Sequence, residues 1–400
     1  MPVMHRSLGF LGEEMRALKD QGLYRKLRIL ESPQEPVSVI DGKKVINLSS
    51  NNYLGLTTHP KLKAAAKTAI DDLGVGTAAV RSIIGTQAIH RQLEERLAKF
   101  KGTEACVVLQ SGFATNVAVV QSVMSDEKDL LISDELNHAS IIDGARLAKA
   151  KRFIYPHKDM KALADILEKN RSVARRCMIV TDGVFSMDGD VAPLPAIVAL
   201  AEHYDAILMV DDAHASGVMG PNGRGTPSHF GLTERIPVQI GTLSKAIAAI
   251  GGYVASTREM QEFLFHKARP FLFSSSHPPS VTATCLAALD ILETDAARIK
   301  RLWDNTHMFK AGLKKLGFDT GVSETPITPV MAGSTDKAKQ LEARLFDAGV
   351  FALAITYPTV ARGRERVRTI VTSEHTVKDL QDALLGFAKV GRDIGLIAAR

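Results

Sequence analysis

Cysteine is scarce in this 400-residue sequence: there are three, Cys106, Cys177 and Cys285, and none belongs to a C-x-x-C pair. That spacing offers neither a disulfide framework nor a zinc knuckle, and Cys106 and Cys177 lie in the apolar runs ACVVLQ and CMIVT, where packing thiols are expected. No segment approaches the roughly 20 consecutive apolar residues that a membrane-spanning helix needs. The stretch MPVMHRSLGFLGEEMRALKD lacks both a long apolar core and a small-residue cleavage site, so a cytoplasmic protein with no membrane partner is expected. Charge of one sign is not in great excess: 50 basic against 44 acidic residues leave a net +6, and the basic positions are scattered. Such scatter argues against a nucleic-acid partner. The small positive balance fits a phosphorylated ligand no better than it fits an ordinary solvated surface. Internal repeats and low-complexity segments are missing too.

What remains is the profile of a globular α/β protein, 45% apolar and 24% charged. At this length one core stops growing, so a large domain and a smaller one are expected. Residues 12–28 carry a helical apolar pattern, and ESPQEPVSVIDGKKVINLSSN reads as an extended arm with short strands, of the kind that lies over a partner subunit. Two helical patterns follow between residues 60 and 100, flanking Gly74-Val75-Gly76-Thr77 and the turn at Gly85-Thr86. Then short β runs (ACVVLQ, DLLIS, RFIY, CMIVT, AILMV, PVQIG) alternate with helices beginning at Ala114, Ala139, Met160 and Leu194. Buried β runs separated by helices predict a mostly parallel sheet covered on both faces. A long helical stretch from Pro279 leads to PVMA, a helix from Lys337, the strands VFALAI and RVRTIVT, and a helix from Val377. The expected division is an N-terminal helix and arm at 1–50, a large α/β domain at 51–285 and a small α+β domain at 286–400.

In such sheets ligands bind at the carboxyl ends of the strands. After the first strand, Ser111-Gly112-Phe113 opens a helix whose amides could hold a phosphate, although a simple cap by Ser111 explains the residues almost as well. After the second, His138 stands at another helix start, which on its own is the place of a capping residue. Asp211-Asp212 ends AILMV, with His214 close behind. Two adjacent carboxylates there need partners, either a metal or a cationic ring nitrogen. Lys245, in Gly241-Thr242-Leu243-Ser244-Lys245, emerges from an apolar, glycine-rich setting where desolvation frees the amine as a nucleophile.

A strand-end carboxylate, a desolvated lysine and an anion-binding turn together meet the needs of pyridoxal 5'-phosphate (PLP): a partner for the ring nitrogen, an amine for the Schiff base and a phosphate cradle. The ordered motifs NNYLGL, RSIIGT, NHASIIDG, TDGVFSMDGD, VDDAH, GTLSK, RPFLFSSSHPP and RVRTIVTSEHT resemble the α-oxoamine synthase family of fold-type I PLP enzymes over nearly the whole chain. The resemblance implies a mostly parallel seven-stranded sheet and a PLP-dependent C-acyltransferase that joins an amino acid to an acyl-CoA. It further implies a homodimer with shared active sites.

By the same resemblance, Lys245 carries the cofactor and moves a proton, Asp211 faces the ring nitrogen, and His138 stacks on the ring and donates to an oxyanion. Ser186 and His214 would bond the phenolic oxygen. The Ser111-Gly112-Phe113 turn, Thr242 and Ser244 would hold the phosphate, with Ser275 reaching over from a second subunit. Arg368 would clamp the amino-acid carboxylate with help from Asn51, and Thr359 would lie near the acyl group. Arg366, two positions earlier on the same strand, is expected to point to the opposite face. After Lys245, Ala246, Ala248 and Ala249 stand where many family members carry one or two glycines. The wording of RSIIGTQ, NHASIIDG and GVFSMDGD is nearest to the glycine C-acetyltransferases, which use glycine and acetyl-CoA. The alternative is 8-amino-7-oxononanoate synthase, which uses L-alanine and a pimeloyl thioester with decarboxylation. A non-catalytic binding protein would hold these polar groups for no chemical reason, and a metal hydrolase on Asp211, Asp212 and His214 lacks further ligands, so no metal is expected.

Overall fold

The computed structural model describes residues 6–24 and 26–398. Its strands, in chain order, are β1 (Val37–Ile40), β2 (Lys43–Asn47), β3 (Ala105–Leu109), β4 (Leu130–Asp134), β5 (Lys151–Tyr155), β6 (Cys177–Asp182) and β7 (Ile207–Asp211). They continue with β8 (Val238–Thr242), β9 (Gly252–Ser256), β10 (Ile327–Met331), β11 (Val350–Phe351), β12 (Leu353–Ile355) and β13 (Arg366–Ile370). Seven of them form one sheet in the order β3-β9-β8-β7-β6-β4-β5. Strands β8, β7, β6, β4 and β5 run parallel to one another, whereas β9 is antiparallel to both β3 and β8.

The apolar runs are continuous because helices cover both faces of this sheet. Along β4, β6 and β7, Leu131, Met178, Val180 and Met209 pack into one core cluster, while Leu130, Ile132, Ile179, Leu208 and Val210 pack into another. At the β5 edge the burial fails, and Lys151 and Arg152 face solvent, which blunts the open edge against pairing with another chain. Strand β9 was not anticipated from the sequence. The connection from β8 to β9 is too short for the crossover that a parallel neighbour requires, so the chain turns straight back, and Lys245 sits in that turn.

Several elements differ from the sequence reading. The first helix runs Phe10–Asp20 and stops well short of Arg28, because Gly22 takes a left-handed conformation at φ 67° just beyond it. Arg25, inside the expected helix, and Met1–His5 lie outside the described residues. The helical stretch from Pro279 is two helices, Pro279–Thr294 and Ala296–Leu316, with Asp295 capping the second through the amide of Arg298. The run VFALAI divides at Ala352 between two small sheets, β1-β2-β11 and β10-β13-β12. Parallel pairing of β2 with β11 therefore joins the N-terminal arm to the C-terminal part of this same chain. Among the described residues no helix is long and apolar enough to cross a membrane.

One of the alanines after Lys245 carries backbone strain. Ala248 sits at φ 64°, a left-handed conformation that costs an L-residue roughly 1–2 kcal/mol. Glycine relieves that strain but loses about 0.5–1 kcal/mol through the freer unfolded chain. Ala248→Gly is therefore expected to leave stability unchanged or to raise it by up to ~1.5 kcal/mol, read from the urea midpoint of the cofactor-loaded protein. A larger loss would show that the packing of the methyl group outweighs the strain.

Candidate active site

Because β3, β4, β6, β7 and β8 point the same way, their carboxyl ends gather at one edge of the sheet, and a cavity of about 240 Å³ opens there. Ser111, Gly112, Phe113, His138, Ser186, Asp211, His214, Thr242, Ser244 and Lys245 all line it. Asn116, Ser140, Asp182, Val184 and Ala213 line it as well.

The floor is built around Asp211 at the end of β7. Asn116 Nδ2 donates to its Oδ2 at 2.6 Å and the Ala213 amide donates to its Oδ1 at 2.9 Å, so the buried carboxylate is fixed in direction. The Oδ1 of Asn116 is buried with no partner among the described residues, an acceptor left over for a ligand. Asp182, opposite Asp211 in the β6–β7 register, also faces the cavity. Burial, and then the Asp211 charge beside it, push the Asp182 carboxyl well above the usual carboxylate range. Proximity of the two carboxyl groups thus disfavours charge on both at once.

Asp212 takes no part. It turns into the protein and pairs with the fully buried Lys101 at 2.9 Å, and also accepts from the Thr226 hydroxyl at 2.5 Å. The two adjacent carboxylates of VDDAH therefore have separate partners, and no group of residues among those described is arranged to hold a metal ion.

One end of the cavity suits a phosphate. The helix Gly112–Val123 begins there, and its first amides have no partner within the helix. Ser111 does cap it, accepting from the Ala114 amide at 3.0 Å, so the capping and lining roles coexist. Beneath the turn, a Cβ on Gly252 would come within 2.6 Å of the Gly112 nitrogen, so only glycine allows this approach. Thr242 and Ser244 bring hydroxyls that lie 2.7 Å apart.

At the other end lies Lys245. Burial lowers its pKa, as does the Arg368 guanidinium, against the opposing pull of Asp211 and Asp182. The result favours the free amine that condensation with an aldehyde requires. His214 is buried and pulled well below its usual range, first by desolvation and then by Lys245 and Arg368. Tyr53 reaches it from the NNYLGL segment, hydroxyl to Nδ1 at 2.8 Å, and burial raises the phenol so that it keeps its proton. A Tyr53 hydroxyl that donates to Nδ1 leaves the Nε2 proton free to point into the cavity. His138 caps its own helix through the Ser140 amide and also lines the cavity, and desolvation lowers its pKa despite the pull of Asp211.

Arg368 and Arg366 correct the sequence reading. Residues two apart on a strand share a face, and both guanidinium groups reach the same loop. Arg366 pairs with Asp188 at 2.7 Å and donates to the Met187 carbonyl at 2.8 Å. Arg368 donates to the Ser186 carbonyl at 3.0 Å and to Asn51 Oδ1 at 3.3 Å. What separates them is their partners: Arg368 is a half-buried cation with only neutral acceptors, whereas Arg366 already has its carboxylate. Asn51 lines a second, adjoining cavity with Ser244 and Lys245. Thr359 lies in a larger outer cavity of about 720 Å³ that shares His138 and Ser186 with the first. Ser275 is exposed and lines none of these cavities; its carbonyl accepts from the Gln110 side chain at 2.7 Å. The site residues missed in the sequence are Asn116, Asp182 and Tyr53. Tyr53 and Asp182 stand in motifs already singled out and Asn116 lies one turn into the helix after Ser111, but the role of each depends on a partner distant in the chain.

The sequence profile of the class I and II aminotransferases matches residues 43–385. An 8-amino-7-oxononanoate synthase of Symbiobacterium thermophilum is 60% identical over 388 residues, covering 97% of this chain and 99% of that protein. The 8-amino-7-oxononanoate synthase 1 of Bacillus subtilis is 52% identical, covering 98% and 100%. A solved serine palmitoyltransferase with PLP superimposes at a TM-score of 0.92 and 32% identity, over 98% of this chain and 99% of that one. These relatives favour the alternative substrate pair over the glycine C-acetyltransferase reading.

Proposed function

Since this chain belongs to the α-oxoamine synthases within the class I and II aminotransferase family, PLP-dependent enzymes that condense an amino acid with an acyl thioester, we propose that it forms 8-amino-7-oxononanoate from L-alanine and a pimeloyl thioester. What supports this most is the likeness to 8-amino-7-oxononanoate synthases, 60% identical across almost the entire chain. The product's name restates the substrates: a seven-carbon diacid contributes the ketone end, and alanine without its carboxylate contributes the remaining two carbons and the amine. In the net reaction a bond forms from the alanine Cα to the thioester carbonyl while the C–S bond breaks. The thiol departs with a proton, the alanine carboxylate leaves as carbon dioxide, and a proton returns to Cα in place of the one removed.

The cavity and the segments next to it carry a residue suited to each need. Asp211, aimed by Asn116 and the Ala213 amide, would hold the proton on the ring nitrogen. The amides of Gly112 and Phe113, with Thr242 and Ser244, would hold the phosphate, and Ser186 and His214 the phenolic oxygen. PLP, when bound, supplies the electron sink for the pair left on the amino acid's Cα. Lys245 would carry the cofactor and take the Cα proton, its amine kept free by burial. His138 would stack on the ring and donate to the oxyanion that develops on the thioester carbonyl. Arg368, with Asn51, would bind the carboxylate, its planar fork matching two oxygens. Thr359, in the outer cavity, would lie beside the acyl group.

A homodimer with shared sites belongs to the same proposal. Ile83 and Ile84 are about four-fifths exposed and Phe273 is 69% exposed. Ser275 pairs with Val80 in the same region, so an apolar patch surrounds the residue expected to reach a neighbouring subunit's site.

Steady-state comparison of L-alanine with pimeloyl-CoA against glycine with acetyl-CoA tests the proposal. The first pair is expected to give the higher kcat/KM by about tenfold or more; equality or the reverse ranking would return the reading to glycine C-acetyltransferase. Arg368→Ala is expected to weaken L-alanine binding by roughly a hundredfold or more, as the loss of a buried charge partner does, while PLP stays bound. Unchanged alanine affinity would remove Arg368 from the assignment.

A further inference from the structure

His157 lies outside the cavity, just beyond β5, between two buried carboxylates. Its Nδ1 is 3.0 Å from Asp134 Oδ1 and its Nε2 is 2.9 Å from Asp190 Oδ2. Both aspartates are almost wholly buried, and Phe185 packs edge-on against the ring at 4.4 Å. The next residue, Lys158, adds an ion pair to Asp190 at 3.0 Å and a backbone bond to Asp134 at 3.0 Å, and takes up a left-handed φ of 58° to do so.

Each carboxylate belongs to a segment that builds the active site. Asp134 ends β4 and accepts from the Leu136 amide at 2.9 Å, in the turn that presents His138. The backbone carbonyl of Asp190 accepts from the Phe185 amide at 3.0 Å, closing the loop that presents Ser186. The carbonyl of Ser186 in turn takes the hydrogen bond from Arg368. We propose that His157 is a positioning residue whose imidazolium, donating to Asp134 and Asp190 at once, ties the His138 segment to the Ser186 segment and so sets the placement of the Arg368 carboxylate clamp. The inference rests on the roles given above to His138 and Arg368.

A neutral imidazole carries one N–H and can serve only one of two carboxylate acceptors, so the bridge needs the charged ring. Burial opposes that charge, but the hydrogen bonds and charges of Asp134 and Asp190 outweigh it and raise His157 to about 9. The charged and titratable groups around the ring are Asp134, Asp190, Lys158, Glu135, whose carboxylate accepts the His157 amide, and the buried Tyr155 phenol. Because the pKa is raised, the bridge contributes fully below the ordinary histidine value and is lost as pH rises through about 9.

The test uses PLP-loaded wild type, His157→Gln and Arg368→Ala, with the L-alanine dissociation constant read from the change in cofactor absorbance and no acyl substrate present. His157→Gln is expected to weaken L-alanine binding about tenfold near neutral pH with PLP retained, and the ratio to wild type should close toward one above about pH 10 as wild type loses the same bridge. A ratio of one at neutral pH, or a ratio that does not change with pH, overturns the inference. If Arg368→Ala also leaves alanine binding unchanged, the fault lies in the underlying site assignment; if Arg368→Ala weakens it and His157→Gln does not, only the inference falls. Asp190→Asn carries the same test should His157→Gln not fold, since it removes one of the charges that hold the ring proton; it too should weaken alanine binding near neutral pH, and normal binding would count against the bridge.

Discussion

Lys245→Ala is expected to lower turnover by roughly two to four orders of magnitude, the range a positioned proton-transfer group contributes, and to abolish covalent attachment of the cofactor. The expectation rests on the setting of the side chain rather than on its identity alone. Lys245 stands in the tight turn between β8 and β9, faces Asp211 and Asp182, and has its pKa lowered chiefly by burial. A lysine in water would be almost wholly protonated at neutral pH and could neither condense with an aldehyde nor accept a proton. The measurement is borohydride treatment followed by mass determination of the intact chain. Wild type should retain the reduced cofactor and the variant should not. A variant that still fixed the cofactor covalently and turned over normally would place the chemistry on another residue.

Asp211→Asn should be the next most damaging change, lowering turnover by about a hundredfold or more, as the loss of a preorganised charge does elsewhere. The native carboxylate is fixed by two donors, Asn116 Nδ2 at 2.6 Å and the Ala213 amide at 2.9 Å. An amide at this position presents a carbonyl to only one of them and sets its own N–H₂ against the other. It also removes the negative charge proposed to face the ring nitrogen. The same charge contributes, after burial, to the raised pKa of Asp182, so that carboxyl should ionise more readily in the variant. Kinetics with cofactor content measured in parallel check this: PLP should still bind, through the phosphate turn, while the rate falls. An unchanged rate in a fully loaded variant would mean that Asp211 does not serve the ring nitrogen.

The large domain was legible because strand ends and chemistry coincide in this architecture. Apart from the edge strand β5, the apolar runs of the large domain are strands buried on both faces whose carboxyl ends open onto the cavity, so His138, Asp211, Thr242 and Lys245 could be picked out in order. Strand β9 was not legible, since GYVAS is short and begins with glycine, and its direction depends on the length of the preceding turn. The aim of Arg366 was misjudged for a geometric reason: a period of two puts it on the face of Arg368, and Asp188 rather than strand alternation separates their roles.

Asn116, Asp182 and Tyr53 were out of reach for a different reason. Asn116 meets Asp211 across 95 residues of chain and Tyr53 meets His214 across 161, and no local pattern encodes such pairings. The substrate preference drawn from the motifs also needed correction. NHASIIDG, VDDAH and GTLSK supply residues that line the cavity proposed for the cofactor, which glycine- and alanine-using enzymes would share. The discrimination of one methyl group and an acyl chain depends on the shape of the cavity, which no short motif spells out.

The most direct test supplies carboxyl-labelled L-alanine and pimeloyl-CoA to the PLP-loaded protein and follows the label, the free thiol and the organic product together. The expected result is 8-amino-7-oxononanoate carrying no label, with labelled carbon dioxide and free CoA released in equal amounts. Product that kept the label, or product formed only from glycine and acetyl-CoA, would contradict the proposed reaction.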